Sequence, residues 1–125
     1  WALYRPYHLA NLETPVTIAK VALHREVTLA TYQPPVAETV AAAKRDLQPG
    51  EKIDALGGFT VYGLIDRAEV ARREEMLPLG LAVGATLLRP VKKGEVLHYS
   101  NVALDENQAI VRLRRQQDQM LQSAG

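Results

Sequence analysis

One stretch of this chain occurs twice. Ala43 to Asp54 reads AKRDLQPGEKID, and Leu87 to His98 reads LLRPVKKGEVLH. Placing Gly50 on Gly94, 44 positions later, brings Arg45 onto Arg89, Leu47 onto Val91, Glu51 onto Glu95 and Ile53 onto Leu97. In each copy the glycine follows a pair suited to a tight reversal, Gln48-Pro49 in the first and Lys92-Lys93 in the second, and glycine enters the left-handed region without steric strain. The pattern predicts a strand, a turn with one residue at positive φ and a returning strand, used twice. A lone two-stranded hairpin is marginal in water, so the two copies are expected to pack together in one core.

A chain of 125 residues, 47% of them hydrophobic, is long enough for one domain with a modest core. Fifteen basic against 14 acidic residues leave a net charge of +1, a balance that does not call for nucleic acid or an acidic membrane as partner. The absence of cysteine excludes a disulfide framework and thiolate metal sites and fits a reducing cytosol. The apolar runs are too short to span a bilayer, and no charged segment precedes an apolar export core. The opening, WALYRPYH, is dense in aromatic and basic residues and unlike a frayed terminus, so the chain reads as the middle of a longer protein.

Thr14 offers an N-cap hydroxyl, Pro15 suits the first helical position, and His24 and Arg25 suit the last turn, which predicts a helix over Pro15 to Arg25. Val16, Ile18, Ala19, Val21, Ala22 and Leu23 spread around most of its circumference and ask for cover on more than one side. A larger body is expected against it. Pro34-Pro35 forbids helix and places a boundary there. Val36 to Ala43 is then a first strand, with Glu51 to Leu56 as the return. Gly57, Gly58 and Gly63, interleaved with Phe59, Val61 and Tyr62, predict a bent strand with sharp turns. Asp66 and Glu69 have capping-box spacing for a short helix to about Met76, ended by Pro78 and Gly80. Leu79 to Leu88 reads as strand, Val96 to Tyr99 closes the second hairpin, and Val102 to Leu104 is a brief strand. From Gln108 the period becomes helical, and a C-terminal helix is expected from about Leu113.

A catalytic set is not apparent. His8, His24 and His98 are far apart and none has a second ligand at metal-site spacing, so no metal is expected. There is no GxSxG, no thiol nucleophile and no glycine cradle for a dinucleotide. Glu74-Glu75 and Asp105-Glu106 read as solvated acids, and Arg112, Arg114 and Arg115 as a solvated helix face, since no aromatics interleave with them. Candidate ligand contacts are Tyr4, Arg5 and His8, a forked donor and a proton carrier able to meet an anionic or polyol ligand, unless Tyr4 and Tyr7 simply pack on a neighbouring domain. Thr60 and Tyr62, presented by the glycine-rich loop, are the other candidates, with Arg45 as a possible neighbour. Gly50, Gly57, Gly58, Gly63 and Gly94 are assigned structural turn roles.

The two glycine hairpins, AKRDLQPGEKID and LLRPVKKGEVLHYSNVAL, separated by a glycine-rich stretch and a short helix, resemble the SAF domain. This is the β-clip module of antifreeze-like domains, sialic acid synthases, altronate dehydratases and flagellar P-ring assembly chaperones. The likeness covers about Val36 to Leu104 and implies a mainly β, α+β fold of two pseudo-repeated hairpins. The flanks YRPYHLANLETPVTIAKVAL and AIVRLRRQQDQ resemble the C-terminal region of homoserine-dehydrogenase-like oxidoreductases, which include reductoisomerase-like enzymes of isoprenoid precursor synthesis. That second resemblance implies a cytoplasmic, homo-oligomeric parent whose preceding Rossmann domain binds NAD(P) and whose catalytic domain comes next. Residues 1–35 would be the last piece of that catalytic domain with its linker, 36–105 the SAF domain and 106–125 a helical extension, with no cofactor in this segment. Antifreeze-like domains of sialic acid synthases place an arginine of a KRPxxG-type loop at a neighbouring active site, whereas the matching place here reads GGFTVYG and has no cation. A free-standing sugar- or polyol-binding module and a P-ring type assembly chaperone are the competing readings.

Overall fold

The computed structural model of the protein describes residues 9–28 and 34–123, and of 12, 122 and 123 the backbone alone. The chain divides into two compact units, the second beginning at Pro34. In the first unit, helix α1 (Ala10–Ala19) runs into a π turn, Lys20–His24, and ends on Arg25 in the left-handed region at φ 55°. The helix starts five residues earlier than the capping pattern predicts. Glu13 N donates to Leu9 O at 3.0 Å, so Thr14 is interior and not a cap, and Pro15 lies inside the helix, where it withholds one backbone donor. Val16, Ile18, Val21 and Leu23 are each more than half exposed.

The second unit is built on β1 (Ala37–Ala43) and β2 (Val61–Arg67), paired antiparallel from Ala37↔Arg67 to Ala43↔Val61. Val40, Ala41, Ala42 and Ala43 are all buried, so β1 is an interior strand whose small side chains let neighbours approach on both faces. Its other edge is filled by loops: Ala41 N donates to Leu77 O and Ala43 N to Glu95 O, both at 2.9 Å. Helix α2 (Ala68–Arg73) follows β2, then α3 (Leu79–Ala82), β3 (Thr86–Leu87), a 3-10 turn (Tyr99–Asn101), β4 (Val102–Ala103) and α4 (Ala109–Ser123). β3 and β4 pair antiparallel. Leu47, Ile53, Val61, Leu77, Leu87, Val91, Leu97 and Val111 share one core, which α4 therefore joins through Val111. The architecture is mixed α+β, with short helices and small antiparallel sheets.

The hydrogen bonds around the repeated stretch come in matched sets. Gly50 N donates to Leu87 O at 2.7 Å and Gly94 N to Ala43 O at 2.8 Å. Leu87 N donates to Glu51 O and Ala43 N to Glu95 O, at 2.8 and 2.9 Å. Ile53 N donates to Ala85 O and Leu97 N to Ala41 O, at 2.9 and 2.8 Å. Within each set, moving one partner forward and the other back by 44 positions converts the first bond into the second. Leu47 and Val91, themselves 44 apart, exchange bonds with each other at 2.8 and 3.1 Å. The arms of one copy are thus not laid against each other as in a hairpin; each pairs with the other copy. A glycine turn reverses the chain without dictating which strand lies alongside, and cross-pairing satisfies both turns while burying Leu47, Ile53, Val91 and Leu97 together.

Four further expectations give way to the structure. Asp66 is a strand residue whose Oδ1 accepts from Arg67 N at 2.7 Å, and α2 starts after an extended Arg67 with no side-chain cap. Leu79 to Leu88 is not a continuous strand: Leu81, Ala82 and Ala85 are all buried, a helical spacing that alternation across a sheet would split. Gly63 is not a turn residue but sits mid-strand in β2, where a Cβ would come within 2.9 Å of Leu79 Cδ2 and Thr39 Cγ2. Helix α4 begins at Ala109, one turn before the expected Leu113.

Candidate functional site

The second copy of the repeated stretch leads directly into a cleft lined by several charged side chains. After Leu97, Asn101 Oδ1 accepts from His98 N at 2.7 Å and Tyr99 N donates to Glu75 O at 2.9 Å, which turns the Tyr99 side chain toward α4. Opposite it, Arg114 reaches from α4 to Glu38 of β1 at 2.6 Å and along its own helix to Asp118 at 2.9 Å. Arg115 stands over the Tyr99 ring, 5.1 Å from its centroid, and bonds Glu106 at 3.0 Å. The resulting cavity has a volume of about 370 Å³ and is lined by Glu38, Arg72, Glu75, Tyr99, Arg114 and Asp118 among others. A more apolar cleft of about 340 Å³ adjoins Arg114, between α3 and the Ile110 and Leu113 side of α4.

The charged groups of this cleft hold one another in place. Burial works against the Arg114 charge, but the hydrogen bond and the charge of Glu38, followed by those of Asp118, outweigh it and raise the guanidinium pKa. The Glu106 hydrogen bond raises that of Arg115. Burial pushes the Tyr99 phenol up, with the nearby arginine charges opposing, so it stays protonated and a donor at neutral pH. Its hydroxyl is buried and finds no hydrogen-bond partner among the described residues. Three arginines, 72, 114 and 115, face three acids, 38, 75 and 118, so the lining is balanced in charge. Such a cleft offers donors and acceptors to a neutral polar molecule.

Of the residues singled out from the sequence, those described fall elsewhere. Tyr4, Arg5 and His8 lie outside the described residues. Thr60 is buried, and its hydroxyl bonds Asp54 Oδ1, which also receives Thr60 N at 3.2 Å, while Asp54 Oδ2 receives Phe59 N at 2.7 Å. These bonds depress the Asp54 pKa, the Thr60 hydroxyl contributing most. Lys44 Nζ adds a bond to Gly58 O, and a Cβ on Gly58 would fall 2.5 Å from the Asp54 carboxylate. Thr60 thus closes a loop; Tyr62, two residues on, is exposed on β2. Arg45 bonds Glu51 at 2.6 Å beside its own turn. Gly50, Gly57 and Gly94 hold φ of 86°, 78° and 85°.

Gly57, Gly58 and Gly63 precede or lie within β2, and the passage from β2 to α2 is Asp66-Arg67, with no glycine to admit a pyrophosphate. Among the described residues no group of His, Cys, Asp and Glu is placed to hold a metal ion, and no helix is long and apolar enough to cross a membrane. Sequence reasoning passed over Tyr99 and Glu38. The one signal was the Arg114-Asp118 spacing of four on a helix, which marks an ordered guanidinium.

Residues 38–103 match the family model for the SAF domain, more than half of the chain. No curated protein matches it.

Proposed function

The chain belongs to the SAF domain family, and from that premise we propose that it is the non-catalytic SAF module of a homoserine-dehydrogenase-like, NAD(P)-dependent oxidoreductase. In this reading residues 1–35 complete a preceding catalytic domain, the Rossmann domain of the parent carries the cofactor, and the module serves domain packing, oligomer contacts or closure of the active site in a cytoplasmic enzyme. Its doubled β-clip would be a rigid frame for those contacts. The supporting observation is α1 and its π turn, where Val16, Ile18, Val21 and Leu23 are left 57%, 62%, 54% and 75% exposed. Burying a side chain of this size is worth about 1.5–3 kcal/mol, so a helix of this composition is made to be covered.

The test is calorimetric titration of this 125-residue chain with NADPH and with NADH. No binding up to millimolar concentration is expected; micromolar binding of either would put cofactor chemistry in this segment and overturn the reading. A second reading, a sugar- or polyol-binding module, draws on the unpartnered Tyr99 hydroxyl in its charge-balanced cleft. It expects amide shifts at Tyr99 and Arg114 on titration with polyols, and their absence would remove it.

A further inference from the structure

β2 has a free edge. Lys44 N donates to Thr60 O and Ala68 N to Val36 O at 2.9 Å, at either end of the β1 ladder, so the even-numbered residues of β2 turn their backbone groups toward β1. The backbone groups of Gly63 and Ile65 therefore point away from β1, and neither residue has a hydrogen bond on that side among the described residues. Ile65 is 79% exposed, and Tyr62 and Leu64 are also open to solvent. Between Val61 and Ile65 there is no lysine, proline or bulge, the usual devices that keep an open edge from pairing.

We propose that this edge pairs antiparallel with the same strand of a second copy of the chain, centred on Leu64. The strand carries its own complement in that register. Gly63 lies opposite Ile65 of the other copy and the two exchange backbone bonds, while Leu64 meets Leu64 in a wide pair where side chains are closest. Tyr62 lies opposite Asp66 of the other copy, so the phenol donates to the carboxylate twice by symmetry. Asp66 uses Oδ1 on Arg67 N and keeps its other oxygen for that contact. Shifting the centre by one pleat repeat to Asp66 would set the two carboxylates face to face, which like-charge repulsion disfavours. A twofold interface of this kind closes on itself and does not propagate. The proposal rests on reading the chain as a packing and oligomer-forming module, and names the strand and the partner.

Sedimentation equilibrium of the full chain at pH 7, from about 1 to about 500 μM, tests it. A micromolar dimer is expected, with Gly63 and Ile65 amides slowed in hydrogen exchange at high concentration relative to low. Ile65→Lys, at a solvent-exposed side chain, should weaken dimerisation at least tenfold while leaving the melting temperature of the dilute chain unchanged; Tyr62→Phe should weaken it by a smaller factor. A chain that stays monomeric throughout overturns the proposal and leaves the edge to a strand of a different protein. A dimer indifferent to Ile65→Lys and to Leu64→Lys overturns it equally. Either failure leaves the non-catalytic reading standing, since that reading falls only on NADPH or NADH binding.

Discussion

The two copies of the repeated stretch make the same frame and then part company. Through Gly50 and Gly94, φ, turn bonds and cross-copy bonds correspond: Glu51 Oε1 accepts from Gln48 N and Glu95 Oε2 from Lys92 N, each at 2.7 Å. One residue past Ile53 stands Asp54, which ties the loop to Thr60; one past Leu97 stands His98, whose Nδ1 lies 2.7 Å from Glu74 O and which leads into the Tyr99 turn. The first copy ends in a loop whose polar groups are mutually satisfied. The second ends beside a cleft with a phenol that finds no partner among the described residues. Duplication here fixes a backbone and leaves the positions just beyond it free to diverge, so any binding specificity is to be sought after the turn and not in it.

The comparison breaks most readily at the core. Ile53 and Leu97 are 2% and 0% exposed and occupy corresponding places, so Ile53→Ala and Leu97→Ala should each destabilise by about 2–5 kcal/mol in chemical denaturation, and by similar amounts. A loss in one copy alone would show that the frame is not shared. Gly50→Ala and Gly94→Ala should each lose about 1–2 kcal/mol from positive φ alone, because nothing lies within 4 Å of either added Cβ. Unchanged melting in both would mean the turns do not need glycine.

A smaller effect separates the copies. The Asp54 carboxyl is held below its ordinary range by the Thr60 hydroxyl and the Phe59 amide. A depressed folded pKa stabilises above the unfolded value, about 3.9, and that stabilisation is lost as pH falls through the lower folded value. Asp54→Asn should therefore flatten the acid limb of melting temperature against pH below about 4. Part of the limb should persist, because Asp46 is also depressed, by the Lys93 amide and Lys92, and Glu51 by Arg45. An unaltered limb in the variant would remove the role given to Asp54.

Much of the frame was legible in the sequence because glycine at a positive-φ turn and a proline pair that forbids helix are local signals. The spacing of Gly50 and Gly94, the strand Ala37–Ala43 and the short strand at Val102 follow from such signals. What was not legible is non-local. Nothing within AKRDLQPGEKID says that Ile53 N finds Ala85 and not its own outgoing arm. Four apolar residues after Pro78 do not distinguish strand from a helical turn until Leu81, Ala82 and Ala85 are seen to share one core. Thr60, read as a ligand contact, was an exposed hydroxyl only while its partner Asp54 was out of view. The Tyr99 cleft needed β1, α2 and α4 together, residues 38 to 119, before it existed at all.

Native-state hydrogen exchange on the full chain tests the interlocked frame most directly. The amides of Gly50 and Gly94, of Ala43 and Leu87, and of Ile53 and Leu97 should be protected, with opening free energies matched within each pair to about 1 kcal/mol and approaching that of global unfolding. One member of each pair exchanging at unprotected rates while its counterpart stays closed would contradict it.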